Sequence, residues 1–258
     1  MRARLLIFSL LGFFAACTTA PPHAPPLQEF AGVISSDLTL SGEVLLTDDL
    51  LILPGRTLTL QPGTTVRVRK AESTKIDPEY LSSSTEILVR GNLQAEGTAA
   101  APVSFVPETA LSAGEIAWAG ITLDRSPASS LRHVRIVGAE QGILIIAASP
   151  QISESIIDNC RYGIVVQGPG RANISNNQIE AGEAGLFVLA GASPEIAGNR
   201  IRNQVEEGLF VDAKSTPHLG RNEISNNAIG LVLHNPVLPF DRSGISGNRE
   251  DLRLIGGE

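Results

Sequence analysis

A sequence unit of about 22 residues recurs over residues 149–235 and restricts the possible folds more than any single residue does. Its glycines, Gly163, Gly185, Gly208 and Gly230, follow one another at steps of 22, 23 and 22 residues. Each unit has three brief apolar stretches separated by Gly, Asn, Ser and Pro, which are the residues that favour turns. A fixed period in this range indicates stacked supersecondary units.

The stretches within each unit are too short for helices. In the third unit they cover residues 194–196, 199–201 and 208–211, with turn-forming residues between them. Three short strands per coil is the arrangement of a right-handed parallel β-helix, in which each residue pairs with its counterpart about 4.8 Å away in the next coil. The sequence therefore predicts an all-β fold, a single-stranded right-handed parallel β-helix. Two sets of apolar residues are predicted to stack inside it, namely Ile152, Ile174, Ile196 and Leu219, and Ile157, Ile179, Ile201 and Ile224.

The pattern extends upstream of the clearest repeats. Regular coils are predicted over residues 118–235, and Pro-Gly turns near residues 54–63 extend the coils toward the N-terminus. Three segments, LILPGRTLTLQPGTTVRV (51–68), GNLQAEGTAAAPVSFV (91–106) and WAGITL (118–123), resemble bacterial secreted proteins built from parallel β-helix repeats. That fold is shared with pectate lyases. The resemblance implies the fold over roughly residues 38–254, but not a function, because this fold serves lyases, hydrolases, epimerases, adhesins and spacers.

The N-terminus has the features of a lipoprotein signal peptide over residues 1–16. Two arginines precede a short apolar stretch, and Ala15 and Ala16 stand directly before Cys17. Such a motif predicts lipidation of Cys17, although Phe14 replaces the usual leucine and ordinary cleavage without a lipid is the alternative. Thr18 after the cysteine favours the outer membrane by resemblance to lipoprotein sorting, so the predicted location is the cell envelope.

The remaining chain divides into a proline-rich tether over residues 17–29 and a β-helix domain over residues 30–258. The chain has 27 acidic and 20 basic residues, and loss of the signal peptide removes Arg2 and Arg4. This negative balance argues against nucleic acid as a partner. Once Cys17 carries a lipid, Cys160 has no cysteine partner, and a small buried side chain in a turn is its simplest interpretation.

Few polar residues occupy a register that would allow catalysis. Asp124 and Asp212 lie four coils apart, too far to act together on a glycosidic bond. Asp212 and His234 fall on adjacent coils and are the only candidate catalytic pair, able to share a proton or a metal, with a surface hydrogen bond as the alternative. The histidines are scattered and the only methionine is Met1, so no metal site and no cofactor are predicted.

Other polar residues recur at equal steps and predict ladders between coils. Asn177, Asn199 and Asn222 form one file, in which each amide should bond to the next. A second, partial file is predicted at Asn159, Asn203 and Asn226. Charge ladders are predicted to join Glu140 to Arg161 and Arg161 to Glu183, Glu180 to Arg202, and Arg200 to Glu223; Glu183 facing Glu206 is the one like-charged step.

Binding residues are expected in the lateral insertions, because loops that leave a regular coil are free to vary. The candidates are residues 70–86 with Tyr80, residues 109–117 leading to Trp118, and residues 234–243. Trp118 and Tyr80 could stack on sugar rings, although Trp118 could instead cap a coil edge beneath its own insertion.

The sequence is thus interpreted as a lipid-anchored, non-catalytic envelope protein that presents a β-helix surface to carbohydrate or to another envelope protein. Two alternatives remain. One is a polysaccharide lyase or glycoside hydrolase, which would need acids or bases within reach of one substrate atom. The other is a structural spacer or assembly subunit of an envelope complex.

Overall fold

The computed structural model describes residues 27–71, 82–112 and 114–256, and in these ranges the chain forms 25 strands, one 3₁₀ turn at Arg242–Gly244 and no α-helix. None of the described residues belongs to a helix long and apolar enough to cross a membrane. In chain order the strands are β1 (Gln28–Ile34), β2 (Leu38–Leu40), β3 (Glu43–Ile52), β4 (Thr57–Leu60), β5 (Thr65–Val68), β6 (Glu86–Val89), β7 (Asn92–Glu96), β8 (Val103–Pro107), β9 (Trp118–Asp124), β10 (Ser130–Arg132), β11 (Val134–Val137), β12 (Ala139–Ile146), β13 (Gln151–Ser153), β14 (Ile156–Asp158), β15 (Tyr162–Gln167), β16 (Asn173–Ser175), β17 (Gln178–Glu180), β18 (Ala184–Leu189), β19 (Glu195–Ala197), β20 (Arg200–Arg202), β21 (Glu207–Val211), β22 (His218–Leu219), β23 (Glu223–Ser225), β24 (Ile229–Leu233) and β25 (Glu250–Leu254).

The strands stack into a parallel β-helix with three faces, which confirms the predicted fold class. The first face is an eight-stranded sheet in the order β2-β4-β7-β10-β13-β16-β19-β22. The second face runs through β5, β8, β11, β14, β17, β20 and β23, and the third through β6, β9, β12, β15, β18, β21, β24 and β25. Every pairing is parallel because each strand meets its counterpart one coil later.

The second and third faces are joined at the N-terminal end by β3. Its first half pairs with β5 and its second half with β6, so this ten-residue strand turns the corner between two faces. Strand β1 lies along both halves of β3 and begins at Gln28, two residues before the start predicted for the β-helix domain.

The interior holds the two predicted files of aliphatic residues. All eight side chains are buried, and Ile157, Ile179 and Ile201 each sit opposite the isoleucine of the next coil. Close packing between coils requires a glycine beside these files, as Gly185 shows. A Cβ on Gly185 would lie 2.4 Å from the carbonyl oxygen of Gly208 and 2.4 Å from Cγ2 of Ile201.

The predicted asparagine file forms a buried ladder. Oδ1 of Asn199 accepts hydrogen bonds of 3.0 Å from the backbone N–H and the Nδ2 of Asn177, and Asn222 accepts the same pair from Asn199. Asn177 in turn accepts a bond from the backbone N–H of Ser155. Each amide therefore satisfies polar groups of a turn that water does not reach.

The prediction of the second asparagine file is wrong by one residue, because it places the file one position too early in the sequence. Asn159, Asn203 and Asn226 adopt a left-handed backbone with φ of 50°, 60° and 58°, and they occupy the bends of the turns. The residue after each bend belongs to the buried file instead. Gln204 bonds to Asn227, Asn227 bonds to Asn248, and Asn248 donates two bonds of 3.0 Å to the Asp251 carboxylate that ends this ladder.

The predicted charge ladders are present on the outer surface. Arg161 bonds to Glu140 at 2.7 Å and to Glu183 at 3.1 Å, Arg202 to Glu180 at 2.6 Å, and Arg200 to Glu223 at 3.0 Å. These exposed pairs contribute about 0.2–1 kcal/mol each, so they adjust register more than overall stability.

Candidate functional site

The third face carries a file of side chains that point away from the core. Strand residues alternate between the two sides of a sheet, so the residue between two buried aliphatics faces outward. On β18 and β21 these residues are Phe187 and Phe210, which pair directly with each other. The file continues through Val165 on β15 and Val232 on β24. It is apolar at each of these four coils.

Two further rings extend the phenylalanine pair in both directions. The ring of Tyr162 meets Phe187 edge-on at a centroid distance of 5.5 Å, Phe187 lies 5.3 Å from Phe210, and Phe210 lies 5.1 Å from the imidazole of His234. All four rings are half-buried. We refer to Tyr162, Phe187, Phe210 and His234 as the aromatic row. It crosses the third face obliquely, because Tyr162 lies three positions before and His234 two positions after the register that Phe187 and Phe210 share.

One edge of the aromatic row is polar. The Tyr162 hydroxyl donates a 3.4 Å hydrogen bond to Glu183, and Glu183 also binds Arg161. Partial burial and the nearby Glu183 carboxylate raise the pKa of Tyr162, which keeps the hydroxyl protonated and able to donate. Arg161 is shared between Glu140 and Glu183, and these carboxylates raise its pKa.

A groove of about 530 Å³ adjoins this polar edge. The groove lies between the turns that carry Arg161 and Glu183 and the insertion that contains Ile116. Val205, which is 75% exposed, and Glu206 also line it. The aromatic row and the groove thus share a polar boundary on the same side of the molecule.

Asp212 and His234, the candidate catalytic pair, each interact with different residues. The Asp212 carboxylate accepts backbone hydrogen bonds from Ala190 at 2.7 Å, Ser215 at 2.8 Å and Lys214 at 3.0 Å. Partial burial pushes the Asp212 pKa up, but these bonds outweigh it and the pKa falls below its usual value. His234 packs on Phe210. No hydrogen bond or ion pair joins these two described side chains, so the carboxylate holds a turn and the imidazole belongs to the aromatic row.

The proposed stacking role of Trp118 needs correction. Its side chain is 0% exposed, packs against Phe105 with ring centroids 6.4 Å apart, and donates from Nε1 to the carbonyl oxygen of Val137 at 2.9 Å. The indole therefore has no face open to a sugar. The chain enters β9 from its lateral insertion here, and an aromatic residue at this point fills the coil interior.

The other sites predicted from the sequence are either outside the described residues or buried. Cys17 and Tyr80 lie outside the described residues. Cys160 is buried, and burial raises the pKa of its thiol to about 12, which keeps it protonated and unreactive at neutral pH. Among the residues that the structure describes, no group of three or more His, Cys, Asp or Glu side chains could hold a metal ion.

The aromatic row does not follow from the charged positions of the repeat. Its signal was visible in the repeat itself, where Gly185 and Gly208 are each followed by Leu-Phe-Val. A phenylalanine two residues after the coil glycine, in two consecutive units, indicates an aromatic file on the outside of the sheet.

Comparison with known proteins agrees with this architecture. The family model for the right-handed β-helix region matches residues 119–249, and the chain belongs to that family. No curated protein matches the chain by sequence. Among solved structures, the chain is similar to the A-module of the mannuronan C-5 epimerase AlgE6 from Azotobacter vinelandii, with 10% identity over 90% of this chain and 91% of that module. The TM-score is 0.26, so nothing about the site is inferred from that module.

Proposed function

We propose that this protein is a non-catalytic carbohydrate-binding protein of the bacterial cell envelope, which presents the aromatic row to its ligand. The observation that carries the proposal is the file of half-buried rings at Tyr162, Phe187, Phe210 and His234, with successive centroids 5.1–5.5 Å apart. Sugar rings combine apolar C–H faces with polar edges. Aromatic side chains suit such ligands because they combine a large apolar area with few rotatable bonds.

The surroundings of the row support the same ligand class. Glu183 and Arg161 lie at its edge and offer a hydrogen-bond acceptor and a donor to hydroxyl groups. The row crosses four successive coils obliquely, from β15 to the end of β24, so an extended chain of sugars laid along it would contact several coils. A few polar groups beside an apolar surface are the usual composition of a small-molecule or oligosaccharide site.

The non-catalytic part of the proposal rests on the positions of the acids and bases. Asp212 is held by backbone N–H groups and His234 packs on Phe210, so the two side chains do not converge on one ligand atom. The proposed anchor is a lipid on Cys17, with the proline-rich segment as a tether to the outer membrane.

An array of immobilised glycans tests this function. The full chain in detergent is expected to bind at least one class of glycan, and incubation with that glycan is expected to release no new reducing ends or unsaturated sugars. Absence of binding across the array would refute carbohydrate recognition. Release of cleaved products from a bound glycan would instead refute the non-catalytic assignment.

A further inference from the structure

The aromatic row lies in a strongly acidic part of the surface. We consider the four strands that carry it, β15, β18, β21 and β24, together with the residue on either side of each strand. These positions hold four carboxylates and one guanidinium, namely Glu183, Glu206, Glu207, Asp212 and Arg161. This local excess of negative charge has the same sign as the formal net charge of −7 for the whole chain.

Neither Arg161 nor Arg253 on β25, which lies opposite Val232 and bonds to Glu250, offsets this excess. Arg161 bonds to Glu140 at 2.7 Å and to Glu183 at 3.1 Å, so its charge is shared between two carboxylates. Asp212 stays ionised because three backbone N–H groups stabilise its charged form and lower its pKa. An approaching ligand therefore meets a negative potential beside the rings.

The groove next to the aromatic row also has an excess of negative charge. Glu183 and Glu206 both line it, in positions where neighbouring coils bring two like charges into register. Glu206 is exposed, and it forms no ion pair with any residue in the described part of the chain. An ionised carboxylate accepts hydrogen bonds and donates none, so this boundary suits ligands that bring hydroxyl donors.

We infer that the aromatic row selects uncharged glycans and rejects glycans that carry carboxylates. This inference rests on the proposed carbohydrate-binding function and specifies its ligand class. An uncharged sugar keeps the contact with the rings and donates hydroxyls to Glu183 and Glu206. A uronate of the same shape places its carboxylate within a Debye length, about 8–10 Å, of Glu183 and Glu206. At this distance the like charges repel, and no carboxylate has a proton to donate in a hydrogen bond.

Matched pairs of hexasaccharides test the inference. Each pair consists of an uncharged hexasaccharide and its C6-oxidised form, which has the same linkages but a carboxylate on each ring. Titration calorimetry of the full chain is expected to give an affinity at least about tenfold lower for the oxidised form at low ionic strength. The difference is expected to shrink as salt is added, because screening weakens repulsion between exposed charges.

A charge-reversal variant separates electrostatic selection from shape. Glu206→Lys replaces an exposed carboxylate by an ammonium group, and it should raise the affinity for the oxidised hexasaccharide about threefold or more, while the affinity for the uncharged one falls because an acceptor for its hydroxyls is lost. Glu195→Lys on the first face is the matched control and should change neither affinity. A thermal melt of each variant verifies the fold.

The outcomes distinguish the inference from the function on which it rests. If the oxidised hexasaccharides bind as tightly as the uncharged ones, or more tightly, the inference is overturned and carbohydrate recognition stands. If Glu206→Lys leaves the preference unchanged, the carboxylates at the boundary are not its cause and the inference is also overturned. If no hexasaccharide of either kind binds, carbohydrate recognition itself is refuted.

Discussion

Phe187 and Phe210 occupy the same register on neighbouring coils, with ring centroids 5.3 Å apart and both rings on the outer side of the third face. The pair arises directly from the repeat, because the residues on either side of each phenylalanine point into the core. Aromatic pairs at this separation are stabilising by about 0.5–1.5 kcal/mol beyond the area they bury.

The pair should therefore show a measurable coupling in stability. Phe187→Leu and Phe210→Leu are each expected to lower the free energy of unfolding by about 1 kcal/mol, and the double variant by less than the sum of the two. A double-mutant cycle in urea measures this coupling, with Phe240→Leu, at the bridge to Leu219 on the first face, as an uncoupled control. Strict additivity of Phe187→Leu and Phe210→Leu would show that the rings do not interact.

The buried asparagine ladder predicts a large effect for a small change. Asn199→Ala removes the amide that links Asn177 to Asn222, and it leaves buried turn groups without partners. The expected loss is about 1–3 kcal/mol in the free energy of unfolding. Asn173→Ala, on the surface of β16, is the control and should denature close to the parent protein. Equal midpoints for Asn199→Ala and the parent would contradict the ladder.

Asp212 predicts a stability effect that depends on pH. The folded state lowers its pKa, so its contribution is complete above the unfolded pKa of about 3.9 and is lost as the pH falls through the folded value. Asp212→Ala should destabilise the protein by about 1 kcal/mol at neutral pH, and the difference from the parent should shrink in acid. Melting temperatures between pH 2 and 7 measure this, with Glu195→Ala as the control. A difference that grows in acid would exclude this role.

Trp118 is the only tryptophan of the chain and reports directly on the core. Because its side chain is 0% exposed, its fluorescence should be shifted to short wavelength and resist quenching by acrylamide. Addition of a bound glycan should leave the spectrum unchanged. A ligand-dependent shift or efficient quenching would mean that the indole reaches the surface after all.

Fatty-acid labelling tests the proposed anchor. Cells that express the parent chain and are fed a radioactive fatty acid should yield a labelled protein, and Cys17→Ala should abolish the label. Cys160→Ala is a suitable control because that thiol is buried, and it should keep full labelling. Equal labelling of the parent and Cys17→Ala would rule out the anchor at this position.

The repeat predicts most of the fold because it fixes which residues face inward. Ile179 and Ile201 stand opposite each other as the period required, and so do Asn177 and Asn199. The error in the second ladder has a local cause. The pattern predicts Asn203 in the second file, but its φ of 60° puts it at a bend and turns Gln204 inward. A period alone does not state which residue of a turn takes the left-handed conformation.

The site is harder to predict because it depends on side-chain contacts between strands, which the repeat does not specify. Trp118 looks like a surface residue beside a loop in the sequence, but packing against Phe105 on the preceding strand, β8, buries it. Tyr162 and Phe187 are separated by 25 residues and in different registers, and their rings meet only because one side chain leans across the sheet. Such contacts depend on rotamers, which the sequence pattern does not specify.

The central claim is that the aromatic row binds carbohydrate, and titration calorimetry with a glycan identified on the array tests it most directly. The double variant Phe187→Leu/Phe210→Leu keeps the apolar character of the file but removes both central rings. We expect it to bind that glycan at least about tenfold more weakly than the parent, since loss of aromatic anchors at a binding surface typically costs more than 1 kcal/mol. Phe240→Leu should bind like the parent. Equal affinity of the parent and the double variant would contradict the claim.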